Sequence, residues 1–197
     1  MRVVMPVALP EILRFRERTG ADRFDEMWEG VLHMTPSPSF RHQSHASRIL
    51  SFFVEVWCPR TSGAAVMQVN VSTPERWDQD YRIPDVSVML PARIPAGEAM
   101  FVRPHVVVEI RSPGDETYEK LPFYAAVGVE AVVIVERDTK AAQVFARSAD
   151  DFVVVPPGVD GWTLIAPVDV ELRAESSASG SVLRLRLRGQ PGTDRIV

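Results

Sequence analysis

Short apolar runs, rich in β-branched residues and bounded by proline or glycine, fill the middle of the chain. This pattern is typical of buried strands. It predicts strands over residues 64–71, 83–90, 102–110, 131–135 and 142–146. From residue 147 to about residue 190, apolar and polar positions alternate. Such alternation predicts antiparallel strands with one solvated face.

Three segments show apolar residues at helical spacing instead. The clearest covers residues 42–57, where the apolar positions of one face are Ala46, Ile49, Leu50, Phe53, Val54 and Trp57. A shorter helix is predicted over residues 9–20, with Gly20 as its end. A third is predicted over residues 116–127, closed by Gly128.

The third helix contains Pro122, which has no N–H to donate. Proline is tolerated in the first turn of a helix. We therefore expect the regular helix to begin only near Lys120.

The order helix, strands, helix, strand and more strands predicts an α/β fold. Its centre is a mixed sheet flanked by helices, and its C-terminal extension is antiparallel β. The 197 residues suit one domain, 1–197, with a core at about 9–146 and the β extension at about 147–190.

Composition narrows the class of protein. The net charge is −4, so any nucleic acid would have to be bound by a local cationic surface. Cys58 is the only cysteine, which excludes an intrachain disulfide and a cysteine-rich zinc site. No signal peptide is recognisable, and no apolar run reaches the roughly 18 residues needed to span a bilayer. A soluble cytoplasmic protein is expected.

Two lone carboxylates stand out in the apolar strands. Asp85 lies near the start of the run 83–90, and Glu109 lies near the end of the run 102–110. If these strands pair antiparallel, the two carboxylates converge at one edge of the sheet. Converging carboxylates suit a hard divalent cation such as Mg²⁺, which can activate water for phosphodiester hydrolysis.

The same residues resemble the Uma-type restriction-endonuclease family, a branch of the PD-(D/E)xK nuclease fold. The resemblance runs from about residue 9 to residue 146. It is carried by Pro84-Asp85-Val86-Ser87-Val88, by Val106-Val107-Val108-Glu109-Ile110-Arg111-Ser112-Pro113, and by Asp115, Lys120, Tyr124 and Gly128-Val129-Glu130. Upstream, Glu26 to Gly30, Met34-Thr35-Pro36 and His42 also fit.

The resemblance implies a restriction-endonuclease-like fold and a metal-dependent endonuclease that acts on DNA. By analogy, Asp85 and Glu109 are ligands of Mg²⁺ or Mn²⁺, and the Ile110 carbonyl adds a third oxygen. A homodimer is implied by the same analogy.

One departure concerns the position two residues after the glutamate, where the general pattern has lysine. This chain has Arg111 there, and arginine is a poor general base. Lys120 on the following helix occupies the place where the family commonly carries its lysine. We expect Lys120, with Arg111, to orient the attacking water or to neutralise the transition state.

Plainer interpretations stay open for each candidate. Asp85 could cap a turn after Pro84. Lys120 could pair with Glu116 on an exposed helix face. Arg111 could bridge to a neighbouring acid. The metal interpretation is preferred for Asp85 and Glu109 because a carboxylate after four apolar strand residues risks burial, and buried carboxylates are usually paired or metal-bound.

Three further features of the sequence are open to more than one interpretation. Glu26 is expected to be a solvated surface residue rather than a third acid of the site. His42 is expected to cap its helix or face solvent. Residues 182–188 alternate strictly and place three arginines on one face, which favours a charge-protected edge strand over a phosphate-binding surface.

The alternative function is a degenerate nuclease fold that binds nucleic acid or a protein partner without cleaving. A structural protein without any site is the third possibility. A long separation of Asp85 from Glu109 would favour it.

Overall fold

A six-stranded mixed sheet forms the centre of the computed structural model, which describes residues 3–5, 10–177 and 180–197. The helices are α1 (Pro10–Thr19), α2 (Phe40–Phe52), α3 (Cys58–Thr61) and α4 (Leu121–Ala126). The strands are β1 (Val3–Met5), β2 (Glu26–Trp28), β3 (Val31–Met34), β4 (Ala64–Met67), β5 (Val86–Met89), β6 (Val106–Arg111), β7 (Ala131–Glu136), β8 (Ala142–Ser148), β9 (Asp151–Val155), β10 (Thr163–Ile165), β11 (Val170–Ser177), β12 (Gly180–Leu187) and β13 (Arg195–Ile196). The predicted α/β class with an antiparallel C-terminal extension is confirmed.

The central sheet has the strand order β4-β5-β6-β7-β8-β9. Only the pair β6–β7 is parallel, and the other neighbours run antiparallel. A parallel pair needs a crossover connection, and α4 lies in the segment that joins β6 to β7. The crossover brings α4 to the end of β6 that carries Glu109.

Each face of the central sheet is covered by a separate apolar layer. One face packs against α2 and the C-terminal sheet β10-β11-β12-β13, so both sheets share one core. Trp57 lies in this core and donates its indole N–H to the Val168 carbonyl at 2.8 Å. The other face packs against α4 through Phe123 and Tyr124.

The helix predicted over 42–57 begins two residues earlier, at Phe40, where the Ser39 hydroxyl accepts the His42 N–H. Its last five predicted residues, Phe53–Trp57, form a π-helical turn. The expected helix 9–20 is observed as Pro10–Thr19, and residue 9 lies outside the described residues.

The expected late start of the third helix is confirmed. Residues Thr117–Lys120 form a 3-10 turn, and the α-helix begins at Leu121 with Pro122 in its first turn. Gly128 closes the segment in a left-handed conformation, with φ 84°.

Several strands are shorter than predicted. The run 83–90 pairs only from Val86 to Met89, and the run 64–71 only as far as Met67. The predicted strand 102–110 is regular only from Val106. Among the described helices, none is long and apolar enough to cross a bilayer.

The arginine-rich strand β12 is not an edge strand, so that expectation was wrong. It lies between β11 and β13 in the C-terminal sheet, with its leucines in the core. Arg188 follows the strand and is exposed, 3.6 Å from Asp169. The two arginines within β12 share the outer face, as the alternation predicts, and pair with acids of β11: Arg184 with Glu175 and Arg186 with Glu171. Partners fixed within the sheet occupy these guanidinium groups.

A substitution at Gly63 provides a test of the packing around Trp57. A Cβ at Gly63 would lie 2.3 Å from the Trp57 ring and 2.8 Å from the Met89 carbonyl oxygen. We expect Gly63→Ala to lower the free energy of unfolding by about 1–3 kcal/mol, because the fully buried indole has no room to shift. Urea denaturation measures this. Gly97→Ala is the control, since nothing lies within 4 Å of its Cβ position. Equal stability of the two variants would contradict the packing.

Candidate active site

The antiparallel pairing of β5 with β6 places the start of one strand beside the end of the other. Val86 faces Val108 in this ladder. Asp85 immediately precedes β5, and Glu109 lies one residue past the last paired position of β6. The pairing required for the two carboxylates to converge is therefore present.

Asp85 continues the ladder with its side chain. Its Oδ2 accepts the Ile110 N–H at 2.7 Å. In a regular ladder of this register Ile110 would pair with Pro84, and its N–H would donate to the Pro84 carbonyl. Pro84 has no N–H to return the second hydrogen bond of such a pair, so the ladder stops there. The Pro84-Asp85 pair thus ends β5 and replaces a backbone acceptor with a carboxylate.

His42 makes the second contact to Asp85. Its Nε2 lies 2.7 Å from Asp85 Oδ1, across 43 residues of sequence. Burial favours the neutral ring, but the hydrogen bond and the charge of Asp85 outweigh burial and raise the pKa of His42. Ser39 provides the helix cap instead, so the expectation that His42 caps its helix or faces solvent was wrong.

Glu109 is buried, with 5% of its surface exposed. Its Oε1 accepts hydrogen bonds from Lys120 Nζ at 3.0 Å and from the Tyr124 hydroxyl at 2.5 Å. Burial is the main cause that raises the pKa of Glu109 to about 7; Lys120 opposes the rise, and the charges of Asp85 and Glu26 add to it. None of the described residues bonds to Oε2, which leaves that oxygen for a ligand.

Lys120 bridges two buried carboxylates. Besides Glu109, its Nζ donates to Glu26 Oε1 at 2.8 Å. Burial favours the neutral amine, but the charges of Glu109 and Glu26 outweigh burial, so the pKa of Lys120 rises above its ordinary value of 10.5. Lys120 is therefore a permanent cation. It does not form the exposed pair with Glu116 that was the plainer interpretation.

Glu26 is a member of the cluster, so the expectation of a solvated surface residue was wrong. It is 2% exposed and lies at the start of β2. Besides Lys120, it accepts the Ile83 N–H at 2.9 Å and the Trp28 indole N–H at 2.8 Å. Burial works against ionisation, yet Lys120 and these donors outweigh it and lower the pKa of Glu26.

Arg111 lies apart from this cluster. Its guanidinium donates to Glu136 on β7 at 2.9 Å and stacks 5.2 Å from the centre of the Tyr118 ring. The contact with Glu136 is the bridge to a neighbouring acid left open as its plainer interpretation. Five residues are brought together in this cluster: Asp85, Glu109, Lys120, Glu26 and His42. Arg111 is not among them.

A cleft of about 370 Å³ opens over these residues. One wall is formed by residues 35–39 and the other by residues 112–117. Arg137, in the turn after β7, also lines it. Sequence reasoning missed Arg137, because a polar turn residue carries no local signal of the cleft it faces.

The side chains in the cleft offer few protein ligands for a metal ion. Among the described residues, no three His, Cys, Asp or Glu side chains lie close enough to hold one by themselves. Two carboxylates with nearby backbone oxygen and water still fit Mg²⁺, which usually keeps several waters and uses one or two carboxylates.

Comparison with known proteins shows similarity to a protein family and to a solved structure. Residues 9–176 match the model of the Uma2 family, described as "Putative restriction endonuclease". The crystal structure of a "putative nuclease belonging to DUF820" from Anabaena variabilis is similar, with a TM-score of 0.61 and 20% sequence identity. The similarity covers 73% of this chain and 82% of that chain, and at this identity it shows the fold. No curated protein matches the chain.

Removal of the Lys120 charge tests the buried cluster. We expect Lys120→Met to lower the free energy of unfolding by about 3–5 kcal/mol, because two buried carboxylates lose their cation. Urea denaturation near neutral pH measures this loss. Lys140→Met, at a half-buried lysine outside the cleft, should cost far less.

The double variant Lys120→Met/Glu109→Gln separates charge from shape. It removes one of the two carboxylates that Lys120→Met leaves unpaired, so it should be more stable than Lys120→Met alone. If it is less stable, Lys120 acts through packing of its aliphatic stem rather than through its charge.

Proposed function

The chain belongs to the Uma2 restriction-endonuclease family, and we propose that it is a metal-dependent endonuclease that hydrolyses DNA phosphodiester bonds. Asp85 and Glu109 are the proposed ligands of Mg²⁺ or Mn²⁺. Lys120 is the proposed catalytic cation. The observation that carries the proposal is the convergence of these three residues in one cleft, with Lys120 bonded directly to Glu109.

The Ile110 carbonyl is the proposed third oxygen for the metal, and the strand geometry supports this choice. In a β-strand the N–H and C=O of one residue point to the same side, and neighbouring residues point to opposite sides. The Arg111 carbonyl accepts from Arg137 on the β7 side, and the Ile110 N–H points to Asp85 on the β5 side. The Ile110 carbonyl therefore points toward Asp85, where Pro84 offers it no donor.

A bound divalent cation supplies a nucleophile at neutral pH and stabilises the leaving oxygen. The raised pKa of Glu109 supports this assignment. It reports a buried carboxylate that faces two other acids with only one lysine to balance them. A cation between Asp85 and Glu109 would relieve this excess of negative charge.

Lys120 supplies a fixed positive charge beside the scissile phosphate. Because its pKa is raised, it holds its proton and is not a general base. Its role in the proposal is to neutralise charge that develops in the transition state. Glu26 and Tyr124 are positioning residues: Glu26 holds Lys120 from the side opposite Glu109, and Tyr124 fixes the Glu109 carboxylate.

The second candidate is a degenerate nuclease that binds nucleic acid or a protein partner without cleavage. The observation in its favour is Arg111, which stands at the usual lysine position and turns to Glu136 instead of the cleft. The homodimer implied by the resemblance stays a prediction.

Cleavage of supercoiled plasmid with Mg²⁺ or Mn²⁺ tests the proposal. We expect metal-dependent nicking that stops when the metal is chelated. Asp85→Asn and Glu109→Gln should each slow it by about 100-fold or more, because each removes a ligand whose metal lowers the barrier by several kcal/mol. Glu98→Gln, at an exposed acid outside the cleft, should cleave as the native chain does.

Calorimetric titration with Mg²⁺ should show binding by the native chain that both ligand variants lose. Binding of the metal without nicking of DNA would favour the degenerate candidate. Nicking that survives both substitutions would refute the assigned ligands.

A matched pair of substitutions tests Lys120. The chain has only two lysines, Lys120 and Lys140, among its 22 basic residues. We expect Lys120→Arg to reduce nicking by at least about tenfold, because a planar guanidinium cannot replace a compact ammonium between Glu26 and Glu109. Arg188→Lys, at an exposed position just after β12, is the control and should leave the rate unchanged. Equal rates for the two variants would show that only a positive charge is required at position 120.

A further inference from the structure

A cationic surface borders the cleft on the side of α2, and nothing described above uses it. We define it as the rim: Phe40, Arg41, Arg137 and Lys140. Two of these residues come from the first turn of α2 and two from the turn between β7 and β8. The cleft is lined by Arg137 itself and by the two residues that flank Phe40 and Arg41 in sequence, Ser39 and His42. The rim is therefore continuous with the candidate active site.

The two arginines of the rim share one acid, Asp138, and Lys140 does not contact it. Asp138 accepts from Arg41 at 3.3 Å and from Arg137 at 2.9 Å. Lys140 donates to the Arg137 carbonyl at 3.0 Å and contacts His45. Like charges held this close repel one another, and burial together with the charge of Arg41 lowers the pKa of Lys140. In contrast with the arginines of β12, the rim keeps an excess of positive charge.

Phe40 adds an apolar platform to the charged surface. Its side chain is 89% exposed although it lies beside a polar cleft. A single exposed apolar residue is ordinary. An aromatic ring next to a row of cations, however, is the combination that binds single-stranded nucleic acid, where the cations contact phosphates and the ring stacks on a base.

We propose that the rim binds an unpaired nucleic-acid strand and leads it into the cleft, with phosphates on Arg41, Arg137 and Lys140 and one base stacked on Phe40. The substrate is then single-stranded or locally unpaired DNA rather than intact duplex, since a paired base has no free face for the ring. The inference takes its ligand class from the proposed function.

Fluorescence anisotropy in EDTA tests the inference without any cleavage. The probes are a labelled oligothymidylate of about 20 nucleotides and a blunt-ended, GC-rich duplex of the same length. We expect Phe40→Ala to weaken binding of the oligothymidylate by about fivefold or more and to leave duplex binding unchanged. Phe40→Trp should restore the affinity. Phe15→Ala, at another exposed phenylalanine, is the control.

The charges are tested by the salt dependence of binding. Arg41→Gln/Lys140→Gln should reduce the slope of log affinity against log salt for the oligothymidylate by about 1.4. Arg188→Gln, at an exposed arginine just after β12, should leave the slope unchanged. An unchanged slope in the double variant, or equal effects of Phe40→Ala and Phe15→Ala, would overturn the inference.

These outcomes can be told apart from those of the proposed function. Strand binding through the rim without metal-dependent nicking would refute the nuclease and leave the rim standing. Metal-dependent nicking with no effect of the rim variants on binding would do the reverse.

Discussion

The hydrogen bond from the Ile110 N–H to the Asp85 carboxylate is the contact on which the candidate site depends. Without it, β6 would end with an unsatisfied backbone donor inside the protein, because Pro84 ends the pairing of β5 with β6. The proline and the aspartate act together: one stops the ladder and the other completes it. The same arrangement sets the start of β5 against the end of β6, so that Asp85 and Glu109 share an edge.

A second constraint is the balance of charge in the buried cluster. Three carboxylates lie here: Glu26, Asp85 and Glu109. Lys120 bonds to the first and the third, and His42 bonds to Asp85. Ionised groups removed from water are costly even when paired, and such clusters are weak evidence for stability. Under the proposed function, this cost is explained by the cation and the phosphate that the cleft would bind. Burial is the main cause of the raised pKa of Glu109, and the charges of Asp85 and Glu26 add to it.

The sequence predicts the parts of the site that depend on neighbouring strands. Asp85 and Glu109 stand out because each interrupts an apolar run, and the run itself indicates a strand. Glu26 and His42 could not be placed in the same way. Glu26 sits in a three-residue strand, and His42 lies at a helix start among serines and another histidine. Both face the cluster only because distant elements pack there, which no local pattern encodes. Arg137 and the rim were missed for the same reason.

Lysine at position 120 is unusual in a chain that otherwise uses arginine, and the geometry of the cluster gives a reason for it. The chain uses arginine for twenty of its basic residues and lysine for two. Arginine suits the outer face of β12, where planar groups pair with carboxylates across strands. The geometry around Lys120 differs. Its Nζ donates to Glu26 Oε1 at 2.8 Å and to Glu109 Oε1 at 3.0 Å, and the residue is 9% exposed. A compact ammonium can donate hydrogen bonds to both carboxylates, whereas a planar guanidinium would need more room. Under the proposed function, the same compactness would bring a positive charge to the cleft without displacing a cation held by Asp85 and Glu109.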